Sequence, residues 1–168
     1  MPTPRSTTST PTELWLAAGQ QVDIFSLLTG MLREGDILCG GKLKIGENKK
    51  VAAIVNWYGA TDFSINPAPI HWFCEDADID EYVRTLSPIN YVRNGGAPVI
   101  TIHGTEDAAV PYEQAVNMHK KLRKVGIMER LLTFTGKKYG EFSPKELTQI
   151  YQEIWEFLES VEIKTTVD

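Results

Sequence analysis

The residues best placed to do chemistry stand in one stretch, Pro98-Val99-Ile100-Thr101-Ile102-His103-Gly104-Thr105-Glu106-Asp107-Ala108-Ala109-Val110-Pro111. A β-branched run ends in His-Gly, and Asp107 follows in a short loop closed by Val-Pro. A carboxylate just past the carboxyl end of a buried strand is where open α/β sheets keep their reactive groups. Taken alone, such an aspartate reads as a turn or helix-entry carboxylate. Its chemical alternative is to orient a histidine that serves as a base. Of the three histidines, His103 ends the strand and reads as structural. His119 reads as solvated on the outer side of a lysine-rich helix. His71, beside Trp72, is the candidate for a substitute base. Cys39 and Cys74 read as spare thiols, since nothing has metal-ligand spacing.

The elements that must position these residues follow from pattern. Val51 to Trp57 and Pro98 to His103 are largely apolar or β-branched runs of strand length, as expected of a buried parallel sheet, and Met128 to Phe134 reads as a third strand. Helices are expected near 20–33, 78–86, 112–125 and 143–161. In the third helix Ala115, Val116, Met118 and Leu122 would face inward. In the fourth, Leu147, Ile150, Tyr151, Ile154, Trp155 and Leu158 would share the apolar face. Ser143 and Glu146 form a capping box with Pro144 at the first helical position. Strand, helix, strand, helix with short links gives an α/β fold with a short parallel sheet. Gly35 to Lys50 reads as a surface loop, Ala60 to Ala77 as an irregular insertion, and the Ser/Thr/Pro-rich start as a disordered tail. The domain reading is a tail over 1–19, one α/β unit over 20–161, and a second tail over 162–168.

At 168 residues with 42% hydrophobic content, the chain has the length and composition of one globular domain. A net charge of −5 without a basic cluster argues against nucleic acid as the main partner. No apolar run is long enough to span a bilayer, and no signal-peptide core opens the chain, so the cytoplasm is the default location. No cofactor or metal is expected. A small flavodoxin-like binding domain would need a phosphate cradle after the first strand, where NWYGATD stands instead. Asp62 there reads as a loop-capping carboxylate. Trp57, Tyr58, Trp72 and Phe73 read either as packing or as the wall of a cleft.

The segments VAAIVNWYGATDF, SPINYV, APVITIHGTEDAAVPYEQAVNMHKKLRKVGI and LLTFTGKKYGEFSPKELTQIYQEIWEFL together resemble the C-terminal half of an α/β-hydrolase. The branch is that of esterases, lipases, prolyl-oligopeptidase-like and feruloyl-esterase-like enzymes, and the resemblance covers roughly Leu27 to Glu159. It implies a partial α/β-hydrolase fold, serine-hydrolase ancestry and a small-molecule ester or peptide as the family's substrate. By this resemblance Asp107 is the acid of a catalytic triad. The family's histidine lies in the loop after the last strand, where this chain has Gly136-Lys137-Lys138-Tyr139-Gly140, so Tyr139 stands at the histidine position. The family's serine lies on a strained turn before the first helix, and counting back places Gln20 there. Only the acid of the triad is present, which implies an inactive or truncated member, a pseudoenzyme that binds a ligand or partner.

The genetic code offers one account of the missing serine. Gly19 to Phe25 can be written GGT CAG CAG GTG GAC ATC TTT. Shifted to the last base of the first codon, that string spells Ser-Ala-Gly-Gly-His-Leu, the family's turn. The expectation is that residues up to about Phe25 are read out of the ancestral frame, which resumes near Ser26; the coding DNA decides it. A three-stranded sheet would also leave an edge unpaired, favouring self-association.

Overall fold

The computed structural model describes residues 22–38, 41–42, 51–65 and 79–161. Element order is α1 (Val22–Met31), β1 (Ile37–Leu38), β2 (Gly41–Lys42), β3 (Ile54–Trp57), α2 (Ile79–Leu86), a 3₁₀ turn (Pro88–Tyr91), β4 (Val99–Gly104), α3 (Tyr112–Lys124), β5 (Glu129–Phe134) and α4 (Pro144–Ser160). The tails, Gln20, Cys39, His71, Trp72, Phe73 and Cys74 lie outside the described residues.

Strands β3, β4 and β5 form a parallel sheet in that order. The β-branched run Val99-Ile100-Thr101-Ile102 takes the centre, buried throughout. Strand β5 carries Glu129, Arg130 and Thr133 and is only partly buried, as suits an edge. Register puts Ile54, Asn56, Val99 and Thr101 on one face, and Val55, Trp57, Ile100 and Ile102 on the other. The first face packs Leu27 and Met31 of α1 with Met118 and Leu122 of α3. The second packs Ile150, Ile154, Phe157 and Leu158 of α4. A third cluster, of Leu28, Ala60, Phe63, Leu86 and Val110, brings together α1, α2 and two of the loops that follow strands.

Helix α4 starts with the expected capping box: the Ser143 hydroxyl accepts from the Glu146 N–H while the Glu146 carboxylate accepts from the Ser143 N–H. That carboxylate, also beside Lys137, is held down to about 2 by the Ser143 hydrogen bonds first.

Four local expectations are corrected. The stretch after α1 is not all loop, because Ile37–Leu38 pairs antiparallel with Gly41–Lys42. On α3 the buried stripe is Gln114, Ala115, Met118, His119 and Leu122. Val116 therefore turns out to solvent, and His119, expected outside, is 2% exposed. Polar partners on the sheet make that burial tolerable. On α4 the stripe runs through Ile150, Ile154, Phe157 and Leu158, leaving Tyr151 and Trp155 about half exposed on its flank.

Candidate functional site

Two loops meet at the carboxyl end of the sheet. The first leaves β4 at Gly104 and carries Asp107; the second leaves β5 at Phe134 and carries Tyr139. They are tied backbone to backbone. Thr105 N–H donates to the Phe134 carbonyl at 3.0 Å, and Glu106 N–H to the Lys137 carbonyl at 2.9 Å. Gly136 N–H donates to the Thr105 hydroxyl at 2.9 Å. The approach is close enough that a Cβ on Gly104 would lie 2.2 Å from the Lys137 carbonyl oxygen. Gly136 turns the second loop with a φ of 74°, a conformation glycine adopts without penalty.

Asp107 is buried, with no side-chain exposure. Its Oδ1 accepts from the N–H groups of Ala109 and Val110, both at 2.9 Å. These bonds fold the loop back so that Pro111 can start α3. Its Oδ2 has no hydrogen-bond partner. The nearest cationic candidate is His103 Nε2 at 3.5 Å, but that nitrogen is committed to the Val110 carbonyl at 2.9 Å. Nε2 therefore carries the proton, and Nδ1 is left buried without a partner. Burial pushes the His103 imidazole below its ordinary value, opposed by the Val110 carbonyl and then by Asp107. His103 is thus neutral at pH 7 and structural, as its place at a strand end implies.

Tyr139 is half-buried and packs against the cluster that includes Val110. Its ring meets Tyr58 edge-on, centroids 4.4 Å apart. Tyr58 follows β3 with a φ of 45°, uncommon for a bulky residue. Its N–H is held by the Ile102 carbonyl at 2.8 Å, and the Asn56 side chain accepts from Gly59 N–H at 3.1 Å. Trp57, Phe142, Phe134 and Tyr151 continue the ring-to-ring contacts. Packing is thus the observed role of Trp57 and Tyr58. Gln114 clamps the same loop, its Oε1 accepting from the N–H groups of Thr61 and Asp62. Asp62 caps the turn by accepting from Ser64 N–H at 2.9 Å, as expected.

Sequence reasoning missed the strain at Tyr58, the Gln114 clamp and the polar neighbours of His119. The one signal for the last was Asn56 and Thr101, polar residues inside otherwise apolar strand runs. Gln20, expected by resemblance at the family's serine position, lies outside the described residues. Among the described residues no three His, Cys, Asp or Glu side chains are grouped to hold a metal. Among them also, no helix is long and apolar enough to cross a membrane.

Comparisons with known proteins agree with this architecture. The structure matches the thermophilic esterase Est2 of Thermogutta terrifontis with a TM-score of 0.65 and 20% identity, over 89% of this chain and 55% of that one. It matches a truncated carbohydrate esterase from gut microbiota with a TM-score of 0.61 and 22% identity, over 81% of this chain and 55% of that one. At such identity the likeness speaks for the fold, and it bears out the partial α/β-hydrolase architecture. Among curated proteins, dipeptidyl-peptidase 4 of Giardia intestinalis is 23% identical over 86 residues, 51% of this chain and 11% of that protein. The chain thus spans about half the length of the esterases and a small part of the peptidase. The BD-FAE family model matches residues 24–122, more than half of the chain. On that match, the chain belongs to the BD-FAE family.

Proposed function

We propose that this chain is a catalytically silent member of the esterase lineage, keeping the acid corner of a hydrolase site and serving in binding. The observation that carries the reading is Tyr139, the residue at the family's histidine position, packed against Tyr58 in a hydrophobic cluster. An ordinary tyrosine ionises near pH 10. At pH 7 only about one in a thousand would be in the base form, whereas a histidine is poised to pass protons there. A positioned general base contributes about 10²- to 10⁴-fold in rate. Asp107, by resemblance the triad acid, keeps one oxygen idle, as befits an acid whose imidazole is gone. Gln20 offers no nucleophile at the serine position, and the out-of-frame reading up to about Phe25 accounts for it.

The purified chain should therefore hydrolyse a short-chain p-nitrophenyl ester no faster than its Asp107→Asn variant. Turnover that the substitution abolishes would overturn the reading and restore an ester or peptide substrate to the site.

A second reading concerns partners and rests on strand β3. Among the described residues β3 pairs only with β4. Its sequence, flanked by Val51-Ala52-Ala53, has none of the charges, prolines or bulges that blunt a natural edge. The opposite edge, β5, has its charges. Pairing of β3 with β3 of a second copy, beside the half-exposed Tyr151 that packs on Trp57, would cover this edge. Light scattering during size-exclusion chromatography should give a dimer that Val55→Pro dissociates; a monomer at every concentration sinks the idea.

A further inference from the structure

A single file of hydrogen bonds crosses the buried face of the sheet beneath the candidate site. Gly59 N–H donates to Asn56 Oδ1 at 3.1 Å, and Asn56 Nδ2 donates to Thr101 Oγ1 at 3.3 Å. Thr101 Oγ1 lies 2.7 Å from His119 Nε2, and His119 Nδ1 lies 2.6 Å from Glu129 Oε2. Arg123 Nε closes the file by donating to Glu129 Oε1 at 2.8 Å. Asn56, Thr101 and His119 are each at most 2% exposed, so water does not stand in for a lost partner. We propose that His119 is a positioning residue for the candidate site, its protonation state setting, through Thr101 and Asn56, the hydrogen bond that holds the Gly59 turn.

The argument is one of donor and acceptor parity. A carboxylate only accepts, so Glu129, paired with Arg123, accepts a hydrogen bond from His119 Nδ1–H. Neutral His119 then offers Nε2 as an acceptor, and the Thr101 hydroxyl donates to it. That leaves Thr101 Oγ1 to accept from the Asn56 amide, and the Asn56 oxygen to accept from Gly59. Each bond in the file then has one direction, set by the bond before it.

Protonating His119 reverses the file. Nε2–H must be accepted by Thr101, whose own hydrogen then loses its acceptor in a buried site and finds another within the file only at Asn56 Oδ1. Asn56 offers that oxygen by rotating its amide, which sets its NH₂ against the Gly59 N–H. Gly59 loses its acceptor next to Tyr58, the positive-φ residue whose ring carries Tyr139. A proton taken up on the α3 face is read in the turn after β3, against which Tyr139 packs.

Burial pushes the His119 imidazole below its ordinary value, opposed by the hydrogen bond and charge of Glu129 and aided by Arg123. The charged groups facing it are Arg123 of its own helix and Glu129 of β5; β4 and β3 present Thr101 and Asn56, which do not titrate. Since the folded value lies below the unfolded one, folding favours the neutral ring. That contribution is complete above about pH 6.5 and is lost as pH falls toward the folded value. His103 and Glu129, both also lowered, add acid sensitivity of the same sign.

Amide and imidazole NMR shifts of the full chain, followed from pH 7.5 downward, test the proposal independently of ester hydrolysis. The Gly59 amide should shift with the midpoint of the His119 ring, while Ile150 of α4, on the other face, stays still. In Thr101→Val the ring should still titrate with Gly59 no longer following, and Thr101→Ser should restore the coupling. A wild-type Gly59 amide that stays still until the whole spectrum collapses overturns the proposal, whether or not Thr101→Val folds. So does coupling that survives loss of the hydroxyl.

Discussion

Gly104→Ala should be the most damaging glycine-to-alanine substitution among the described residues, costing about 4 kcal/mol or more, where overpacking usually costs about 1–3 kcal/mol. The added Cβ would stand 2.2 Å from the Lys137 carbonyl oxygen and 2.7 Å from its carbon. Both are backbone atoms, so no rotamer change relieves the clash. Neither chain is free to withdraw. Gly104 is in register with Phe134 in the central pairing, and Lys137 is held by Glu106 N–H. Against a total stability of about 5–15 kcal/mol for a domain, the loss should leave little folded protein at 37 °C. Gly126→Ala is the control. Gly126 has a φ of 74° but nothing within 4 Å of an added Cβ, so only the left-handed backbone cost of about 1–2 kcal/mol applies. Urea denaturation of the two variants decides the matter, and equal midpoints would show that the loops do not lock at Gly104.

Asp107→Ala should cost about 2–4 kcal/mol, because it strips the acceptor from two backbone N–H groups, one of them buried at Val110. Asp107→Asn should cost about 1 kcal/mol, since its amide oxygen can still accept both bonds. What it gives up is the oxygen that has no partner now. The contrast separates two uses of one carboxylate: Oδ1 builds the loop, and Oδ2 is the atom a catalytic imidazole would use. Paired urea melts measure it. Equal losses in the two variants would mean that capping is not what the residue contributes.

The three main strands, the four helices and the Asp107 loop were legible because each is written locally. Val99-Ile100-Thr101-Ile102 is a strand by composition, Ser143-Pro144-Lys145-Glu146 is a helix start by hydrogen-bond logic, and His-Gly with Asp and Val-Pro at fixed offsets is a strand exit. What was misread depends on partners distant in sequence. His119 looks like a surface residue until Thr101 and Glu129, from two different strands, are placed beside it. Trp155 looks like core until Ile154 and Phe157 fill the space over β4. The hairpin of Ile37–Leu38 with Gly41–Lys42 is too short for any periodicity to announce it. Tyr139 and Gln20 acquired meaning only by resemblance, since neither residue type in a loop announces a triad position by itself.

The tie between the two loops bears on how this corner is held. The bonds that place the second loop run from Thr105, Glu106 and Gly136, through backbone groups and one threonine hydroxyl. What the Tyr139 ring adds is packing, against Tyr58 and the cluster that includes Val110. Address and occupant are thus held by different forces, backbone hydrogen bonds for the one and burial of an aromatic ring for the other.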